Sequence, residues 1–459
     1  MSEIVLWGAG KFVKNYIQLV RYLGDEISYI VDNSSQKQGT YIEGTIVKGP
    51  DDLFKTSERI IISCLAIDEI RNYLNENGLA DREMSISEYL DGFIKDKLET
   101  SASININSRE VFFDLFSGSE WGGAENWNYM VASEILKEFP ESNISIISDD
   151  IVNVENDSDI KIKRFRENDN IEEIIRYVDS FESVIFVNSF FGKAFFALLA
   201  LKVLAPQKIR IVTVVHNDYR DLYRLCELFK DYIDIYTCVS SRIADYLVEN
   251  LKISAYKVKH VFQPIDTKDV AYEERRHNGR IIIGIASRLS KSQKRADYIP
   301  IIIDKLEKKR IDYELLIAGD GECFDEIESY VMKNDLTSKI KLLGRISHDK
   351  IWDFWKAVDV YLNFSEFEGT SLAMLEAMCC GCVPVVTNVS GTNDYIIDGT
   401  NGVIREIGDL DGLCDSIGYL SKNRIELINM GNSARAVILE KSDIRQFVVK
   451  FYDLLCRMN

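Results

Sequence analysis

The 459-residue chain carries 55 basic and 73 acidic residues, a formal net charge of −18, which argues against a broad basic surface for nucleic acid. Hydrophobic residues make up 46% and charged residues 28%, the balance of a globular rather than a disordered protein. At about 150 residues per domain, this length predicts about three domains.

Neither a signal peptide nor a transmembrane helix is predicted. The N-terminus MSEIVLWGAG lacks a basic region followed by an apolar core, and no stretch reaches 18 uncharged apolar residues. The nine cysteines form no pair of C-x-x-C elements at zinc spacing, so a reduced setting without a bound metal is expected. We therefore expect a cytoplasmic protein, and peripheral contact with the inner face of a membrane stays open.

In chain order, short apolar runs alternate with amphipathic segments of helix length, which predicts βαβ units around parallel sheets. The first series predicts a small Rossmann-like module over residues 1–105, with strands at 4–10, 27–33 and 59–65. The polar stretch 95–109 has no clean period and is the best candidate for a linker.

Two further series of similar size predict two doubly wound domains. They cover residues 106–268 and 269–435, with a hinge expected near 264–280. A final helix is predicted within 436–459, where apolar residues recur at helical spacing and need a partner surface. The predicted strands are 111–116, 144–150, 183–190, 209–217, 234–240 and 257–266 in one domain, and 280–289, 313–321, 340–346, 358–369 and 382–389 in the other.

Two strand-to-helix turns carry residues suited to phosphate, and ligands of open α/β sheets bind at the carboxyl ends of strands. Gly122 and Gly123 precede a helical pattern and would let backbone N–H groups approach an anion. The turn SRLSKSQKR places Arg288 and Lys294 at the mouth of the other sheet, where they can bind a diphosphate. A tight turn without a ligand and a solvated basic loop are the alternatives.

The strongest signal is SEFEGTSLAMLEAM, in which Glu368 and Glu376 stand eight positions apart across a turn and the start of a helix. Backbone N–H groups at that helix start can bind phosphate, and carboxylates can accept hydrogen bonds from ribose or sugar hydroxyls. For Glu368 alone, an acid that complements the helix dipole is the alternative. The residues that would supply the N–H groups are Gly369, Thr370, Ser371 and Leu372.

The segment EGTSLAMLEAMCCGCVPVV resembles the glutamate-spaced signature of glycosyltransferase family 4, the retaining sugar-nucleotide transferases of GT-B fold. Five further motifs on either side of this segment occur in the family's order. The resemblance covers about residues 112–459. It implies an α/β protein in which two doubly wound Rossmann-like domains face a cleft, here preceded by the small Rossmann-like N-terminal domain. The five motifs are WGGAE (121–125), SRLSKSQKR (287–295), LLIAGDG (315–321), IKLLGRI (340–346) and DGTNG (398–402).

The resemblance also implies roles for the two phosphate-type turns. Gly122 and Gly123 would face the donor diphosphate and the acceptor. Arg288 and Lys294 would neutralise the diphosphate as it leaves. Family members commonly place the lysine five residues after the arginine, where this chain has Gln293, so the role of Lys294 requires a one-residue insertion.

By the same resemblance, Glu368 with the amides of residues 369–372 would hold the transferred sugar and phosphate. Glu376 would bind the nucleotide ribose. His216, at the end of a predicted strand, would lie near the reacting sugar. Asp394 stands where a glutamate is frequent, and the shorter acid could alter which sugar hydroxyls it reaches.

The function implied by the resemblance is retaining transfer of a hexosyl or N-acetylhexosaminyl group from a nucleotide-sugar, with uridine diphosphate favoured. The acceptor would be a hydroxyl of a glycan, glycolipid or other molecule, in surface polysaccharide or glycoconjugate assembly. No metal or other cofactor is expected, because basic side chains and helix amides match the diphosphate charge. Two alternatives stay open: a nucleotide-sensing protein with a degenerate GT-B scaffold, and a GT-B epimerase or phosphorylase. The oligomeric state is not predicted.

The N-terminal module carries a weaker nucleotide-type pattern. Gly8 and Gly10 follow the first predicted strand, and Asp32 closes the next one, as in a small nucleotide-binding βαβ unit. Val13 stands where the third glycine of the dinucleotide fingerprint belongs. A nucleotide-type ligand and a ligand-free packing or oligomerisation module are equally compatible with this pattern.

Overall fold

A computed structural model shows that the protein consists of three mainly parallel sheets with helices on their faces. The structure describes residues 3–94, 109–115, 122–148, 160–166, 169–267 and 279–458. All but the last residue of the predicted linker, and the middle of the predicted hinge, lie outside these ranges. None of the helices in the described ranges has the length and apolarity needed to cross a bilayer.

The N-terminal domain is built around a five-stranded sheet. Its elements are β1 (Glu3–Trp7), α1 (Val13–Tyr22), β2 (Glu26–Val31), β3 (Tyr41–Ile42), β4 (Thr45–Lys48), β5 (Arg59–Ile62), α2 (Ile67–Glu76) and α3 (Ile86–Asp91). The strand order is β3-β4-β2-β1-β5, and the β3–β4 pair is antiparallel. Glu43 and Gly44 have φ angles of 49° and 76°, which the tight turn of that hairpin requires.

The middle domain contains a seven-stranded parallel sheet. Its elements are β6 (Arg109–Leu115), α4 (Gly123–Glu138), β7 (Asn143–Ser148), β8 (Lys161–Arg164), α5 (Ile171–Asp179), β9 (Ser183–Asn188), α6 (Lys193–Leu204), β10 (Ile209–Val215), α7 (Arg220–Leu228), β11 (Ile235–Cys238), α8 (Ser241–Glu249) and β12 (Val258–His260). The order is β12-β11-β10-β9-β6-β7-β8, so the winding reverses between β6 and β9.

The third domain contains a six-stranded parallel sheet with the order β15-β14-β13-β16-β17-β18, which reverses between β13 and β16. Its elements are β13 (Ile281–Ala286), α9 (Ile299–Lys308), β14 (Tyr313–Ala318), α10 (Phe324–Lys333), β15 (Ile340–Gly344), α11 (His348–Ala357), β16 (Val360–Asn363), α12 (Leu372–Cys379), β17 (Val383–Thr387), α13 (Thr392–Tyr395), β18 (Val403–Arg405), α14 (Leu410–Lys422) and α15 (Arg424–Lys441).

The last helix, α16 (Ile444–Cys456), packs on α4 of the middle domain rather than on the third domain. The rings of Phe447 and Phe451 lie 5.8 and 5.6 Å from the ring of Trp127, measured between centroids. The expected boundary at 435/436 falls inside α15, which continues to Lys441. The chain therefore crosses between domains after Ser442.

The N-terminal and middle domains share one hydrophobic core, to which α1, β6, α6 and α16 all contribute. The rings of Tyr16 on α1 and Phe196 on α6 are 5.2 Å apart. The hydroxyl of Tyr232 donates a hydrogen bond to Asp91 Oδ1 at 2.9 Å. The small module is thus a fixed part of the middle domain's surface.

Candidate active site

The carboxyl ends of the second and third sheets border a cavity of about 620 Å³. Both positions at which the winding reverses open on this cavity, as expected for ligand sites in doubly wound sheets. Gly369 and Glu376 are not among its lining residues. The predicted site residues that line it are Gly122, Gly123, His216, Arg288, Lys294, Glu368, Thr370, Ser371 and Leu372.

The glycine turn lies directly opposite the start of α12. A Cβ atom on Gly123 would lie 3.5 Å from Leu372 Cδ1, so the two domains come close together there. The N–H of Gly122 donates to Glu125 Oε2 at 3.1 Å. Burial raises the pKa of Glu125, and the positive charge of Arg288 opposes that shift. One of the predicted anion-binding amides is therefore already satisfied by a carboxylate of its own helix.

Glu368 is buried and surrounded by hydrogen-bond donors. The ammonium group of Lys294 forms an ion pair with Glu368 Oε1. Ser365 Oγ donates to the same oxygen at 2.9 Å, and Gln293 Nε2 approaches Oε2 at 3.5 Å. Gln293, at the position where family members commonly have the lysine, and Lys294 therefore both reach Glu368, and the lysine makes the closer contact.

The turn before α12 is held by contacts with the middle domain. Thr370 Oγ1 donates to the carbonyl oxygen of Val239 at 2.7 Å. A Cβ atom on Gly369 would lie 2.0 Å from the carbonyl oxygen of His216, so only glycine fits at this position. Ser371 accepts the N–H of Met374 at 3.3 Å and thereby caps the helix. These contacts hold the N-terminus of α12 against the middle domain at the cavity wall.

Glu376 lies one turn further along α12 and is partly buried. Its Oε2 accepts a hydrogen bond from Trp355 Nε1 at 3.2 Å. Desolvation raises the pKa of this carboxyl group to about 7. The group is thus poised between its neutral and ionised forms near physiological pH.

His216 follows β10 and forms part of the cavity wall. Its Nε2 lies 3.1 Å from Ser189 Oγ, and its ring meets the edge of Trp127 at 5.3 Å between centroids. Burial lowers the pKa of His216 to about 3, so the imidazole is neutral at physiological pH.

Asp394 does not lie among the cavity residues, and its carboxylate is used between domains. Its two oxygens accept hydrogen bonds from the backbone N–H of Ser241 at 2.9 Å and from Ser241 Oγ at 2.5 Å. The expectation that its length selects among sugar hydroxyls stays a prediction, and in this structure both carboxylate oxygens bond to Ser241. The shorter acid fits because the N-terminus of α8 approaches it closely, and it ties that helix to the third domain.

Several cavity residues escape the sequence analysis. Asn217, Asp320 and Arg345 lie at the carboxyl ends of predicted strands, so the strand-end rule could have found them. The others sit in helix turns or loops where polar residues are common and give no distinct pattern. These missed residues are Glu125 and Gln263.

In the N-terminal domain the predicted residues Gly8, Gly10 and Asp32 come together at the carboxyl end of the sheet. Asp32 accepts hydrogen bonds from the N–H groups of Ala9 at 2.8 Å and Ser34 at 2.9 Å. A Cβ atom on Gly8 would lie 2.5 Å from the Cβ of Cys64. The carboxylate thus fixes the module's own loops.

Two family models match the chain. Residues 268–437 match the model described as glycosyl transferases group 1, and residues 1–85 match the model described as C2185-like, N-terminal. The first match covers the residues of the third domain that border the cavity. The sequence-based resemblance to glycosyltransferases is thereby confirmed for this part of the chain.

Curated relatives align with part of the chain. An uncharacterized glycosyltransferase of Methanocaldococcus jannaschii is 33% identical over 192 residues, which are 42% of this chain and 49% of that protein. The N-acetyl-alpha-D-glucosaminyl L-malate synthase of Bacillus anthracis is 32% identical over 149 residues, which are 32% of this chain and 39% of that protein. The chain thus spans about half of these relatives' length or less.

Among solved structures, HepE of Anabaena in complex with UDP and glucose matches with a TM-score of 0.63 at 16% identity. The alignment covers 75% of this chain and 99% of that one. At this identity the similarity shows the fold alone. The expected GT-B architecture is confirmed.

Proposed function

We propose that this chain, whose residues 268–437 match the group 1 glycosyl transferases, moves a sugar from a UDP-sugar to an acceptor hydroxyl. The observation that carries the proposal is the Lys294–Glu368 ion pair in a cavity that Arg288 also lines. This arrangement offers two cations to a diphosphate and a carboxylate to a sugar. The name of the Anabaena neighbour, bound to UDP and glucose, supports uridine diphosphate as the carrier.

In this reaction the departing diphosphate gains negative charge. Arg288 and Lys294 stabilise that charge, together with N–H groups at the start of α12. Donor binding brings phosphate next to Lys294, which then bridges phosphate and Glu368. We propose that these groups suffice without a metal ion, so turnover persists in excess chelator. Loss of turnover in chelator, restored by Mg²⁺ or Mn²⁺, contradicts this part of the proposal.

For stereochemistry, we propose retention at the anomeric carbon. The acceptor hydroxyl attacks from the face that the diphosphate leaves, and a diphosphate oxygen takes its proton. A second carboxylate acting as base is then unnecessary, unlike in glycoside hydrolysis. Proton NMR of the first product formed distinguishes an α-linked from a β-linked sugar. Inversion overturns the retaining mechanism and leaves the transferase assignment in place.

For the transferred group, we propose a hexosyl or N-acetylhexosaminyl sugar. The name of the Bacillus anthracis relative, N-acetyl-alpha-D-glucosaminyl L-malate synthase, supports the second type. The acceptor is proposed to be a glycan or glycolipid in surface polysaccharide or glycoconjugate assembly.

Calorimetry on the full chain with UDP, UDP-glucose and UDP-N-acetylglucosamine tests the donor assignment. Binding of at least one of them, weakened in Glu368→Gln, supports it. Product analysis without an acceptor then separates the reaction classes. A transferase gives at most slow hydrolysis, an epimerase changes the sugar, and a nucleotide sensor binds without any turnover. Epimerisation contradicts the proposed function, and binding without turnover contradicts it when hydroxyl acceptors of the glycan and glycolipid classes have also been supplied.

A further inference from the structure

A chain of buried polar side chains runs from His216 into the middle domain. Ser189 follows β9, Asn128 lies on α4 and Asp114 lies on β6, and their exposed fractions are 9%, 0% and 4%. Ser189 Oγ lies 3.1 Å from His216 Nε2 and 3.0 Å from Asn128 Oδ1. Asn128 Nδ2 in turn lies 2.5 Å from the carbonyl oxygen of Asp114. The roles described so far do not use these three residues.

The direction of each hydrogen bond in this chain follows from simple valence. A backbone carbonyl oxygen only accepts, so the Asn128 atom that faces Asp114 must be the amide nitrogen. The other amide atom, Oδ1, only accepts, so the hydroxyl of Ser189 donates its single proton to it. Ser189 Oγ can then only accept from His216, which requires a proton on His216 Nε2.

The carboxylate of Asp114 also accepts hydrogen bonds from both of its neighbours in this chain of polar residues. Its Oδ1 accepts the backbone N–H of Ser189 at 2.8 Å, and its Oδ2 accepts the backbone N–H of Phe190 at 3.3 Å. Asn128 Nδ2 lies 3.2 Å from the same Oδ1. Asp114 therefore fixes both the strand-end turn that carries Ser189 and the orientation of the Asn128 amide.

With Nε2 protonated in a neutral ring, Nδ1 carries the lone pair. Nδ1 has no hydrogen-bond partner among the described residues, and His216 lines the cavity. We propose that Asp114, Asn128 and Ser189 are positioning residues that hold His216 with Nε2 protonated, so that Nδ1 accepts a hydrogen bond from a hydroxyl of the donor sugar. This inference rests on the proposed function, because it assumes a sugar in the cavity.

NMR can show which ring nitrogen of His216 carries the proton, without any substrate present. The chain has four histidines, so ¹⁵N labelling of histidine alone gives few signals, and the His216→Asn variant identifies those of His216. At pH 7 we expect Nε2 to be protonated and Nδ1 to be unprotonated. A spectrum with the proton on Nδ1, or with rapid exchange between both nitrogens, overturns the proposal.

Ligand additions then test the contact with the sugar. Saturating UDP-glucose or UDP-N-acetylglucosamine should move the Nδ1 resonance, whereas UDP alone should not. Equal shifts with UDP and with both UDP-sugars overturn the sugar contact. If calorimetry shows that no UDP-sugar binds, the proposed function and the sugar contact both fail, but the ligand-free spectrum still decides the tautomer.

Ser189→Ala removes the acceptor that fixes the tautomer. We expect both tautomers of His216 in this variant and a fall in kcat of about 10-fold with a smaller change in KM, and Ser189→Thr should restore both properties. Ser145→Ala is a matched control, since Ser145 is a buried serine of the same sheet that bonds to Glu110 and lies outside the cavity. A Ser189→Ala enzyme with one tautomer and normal kcat contradicts the positioning role.

Discussion

Arg288 and Lys291 belong to one loop but differ in their surroundings. Arg288 lines the large cavity, whereas Lys291 pairs with Glu326 at 3.3 Å on the outer surface. Charge on the leaving diphosphate grows in the transition state, so Arg288→Ala should lower kcat by about 100- to 1,000-fold and change KM less. Steady-state kinetics of both variants measure this. Lys291→Ala should behave as wild type, and a raised KM with unchanged kcat in Arg288→Ala contradicts the role.

The pKa of Glu376 gives a pH dependence with a definite sign. Burial raises it from its ordinary value of 4.5 to about 7, so the folded protein binds more protons than the unfolded chain between those values. Stability should therefore fall between about pH 4.5 and pH 7, by up to about 3 kcal/mol. In Glu376→Gln this fall is absent, since the amide does not ionise and still accepts from Trp355.

Thermal melts of wild type and Glu376→Gln at pH 5 and pH 8 provide the measurement. The melting temperature of the variant relative to wild type should be higher at pH 8 than at pH 5, by roughly 5 °C. A difference that does not depend on pH shows that this carboxyl group titrates normally. A variant that gains relative stability at pH 5 instead would reverse the expected sign.

At the scale of elements, the N-terminus of α12 lies so close to the middle domain that Gly369 leaves no room for a side chain. Gly369→Ala would place a methyl group 2.0 Å from the carbonyl oxygen of His216. The domains must then separate, which displaces Glu368 from the opposite wall and should reduce kcat/KM about 100-fold. Small-angle scattering should show a larger radius of gyration with unchanged circular dichroism. An unchanged radius together with normal activity contradicts this account.

Element by element, the sequence predicts the strands that carry the site better than the contacts between them. Runs such as Ile281–Ala286 are apolar throughout and could be recognised, because strands of a parallel sheet are buried on both faces. The strands β3, β4, β8 and β18 have two to four residues, and no long apolar run in the sequence contains them. Ser241 and Asp394 are 153 positions apart, and their bond depends on how two finished domains meet.

The candidate site shows the same division. Glycines, basic residues and the Glu368–Glu376 spacing have distinct chemistry, so the sequence points to them. Ser189 and Asn128 are ordinary polar residues in sequence, and their connection to His216 exists only once β6, β9 and β10 are side by side.

At the scale of the whole molecule, the shared core makes the N-terminal domain a structural support. Tyr16→Ala removes a fully buried ring from the contact with Phe196 and should cost about 3–5 kcal/mol. Tyr41→Ala in the same domain removes a side chain that is 68% exposed and should change stability by less than about 0.5 kcal/mol. Thermal melts and limited proteolysis compare the two. Equal stability of both variants shows that the module is not docked through this core.

The position of α16 has a consequence for the order of synthesis. The helix covers Trp127 of the middle domain, yet it follows the whole third domain along the chain. About 180 residues separate the end of the middle domain from α16, and at 5–20 residues per second a ribosome needs roughly 10–35 s to translate them. Throughout that interval α16 cannot cover the apolar face around Trp127 that it covers in the finished protein. A nascent chain stalled before residue 444 should therefore recruit a chaperone that binds apolar surface, and release should follow emergence of the last helix.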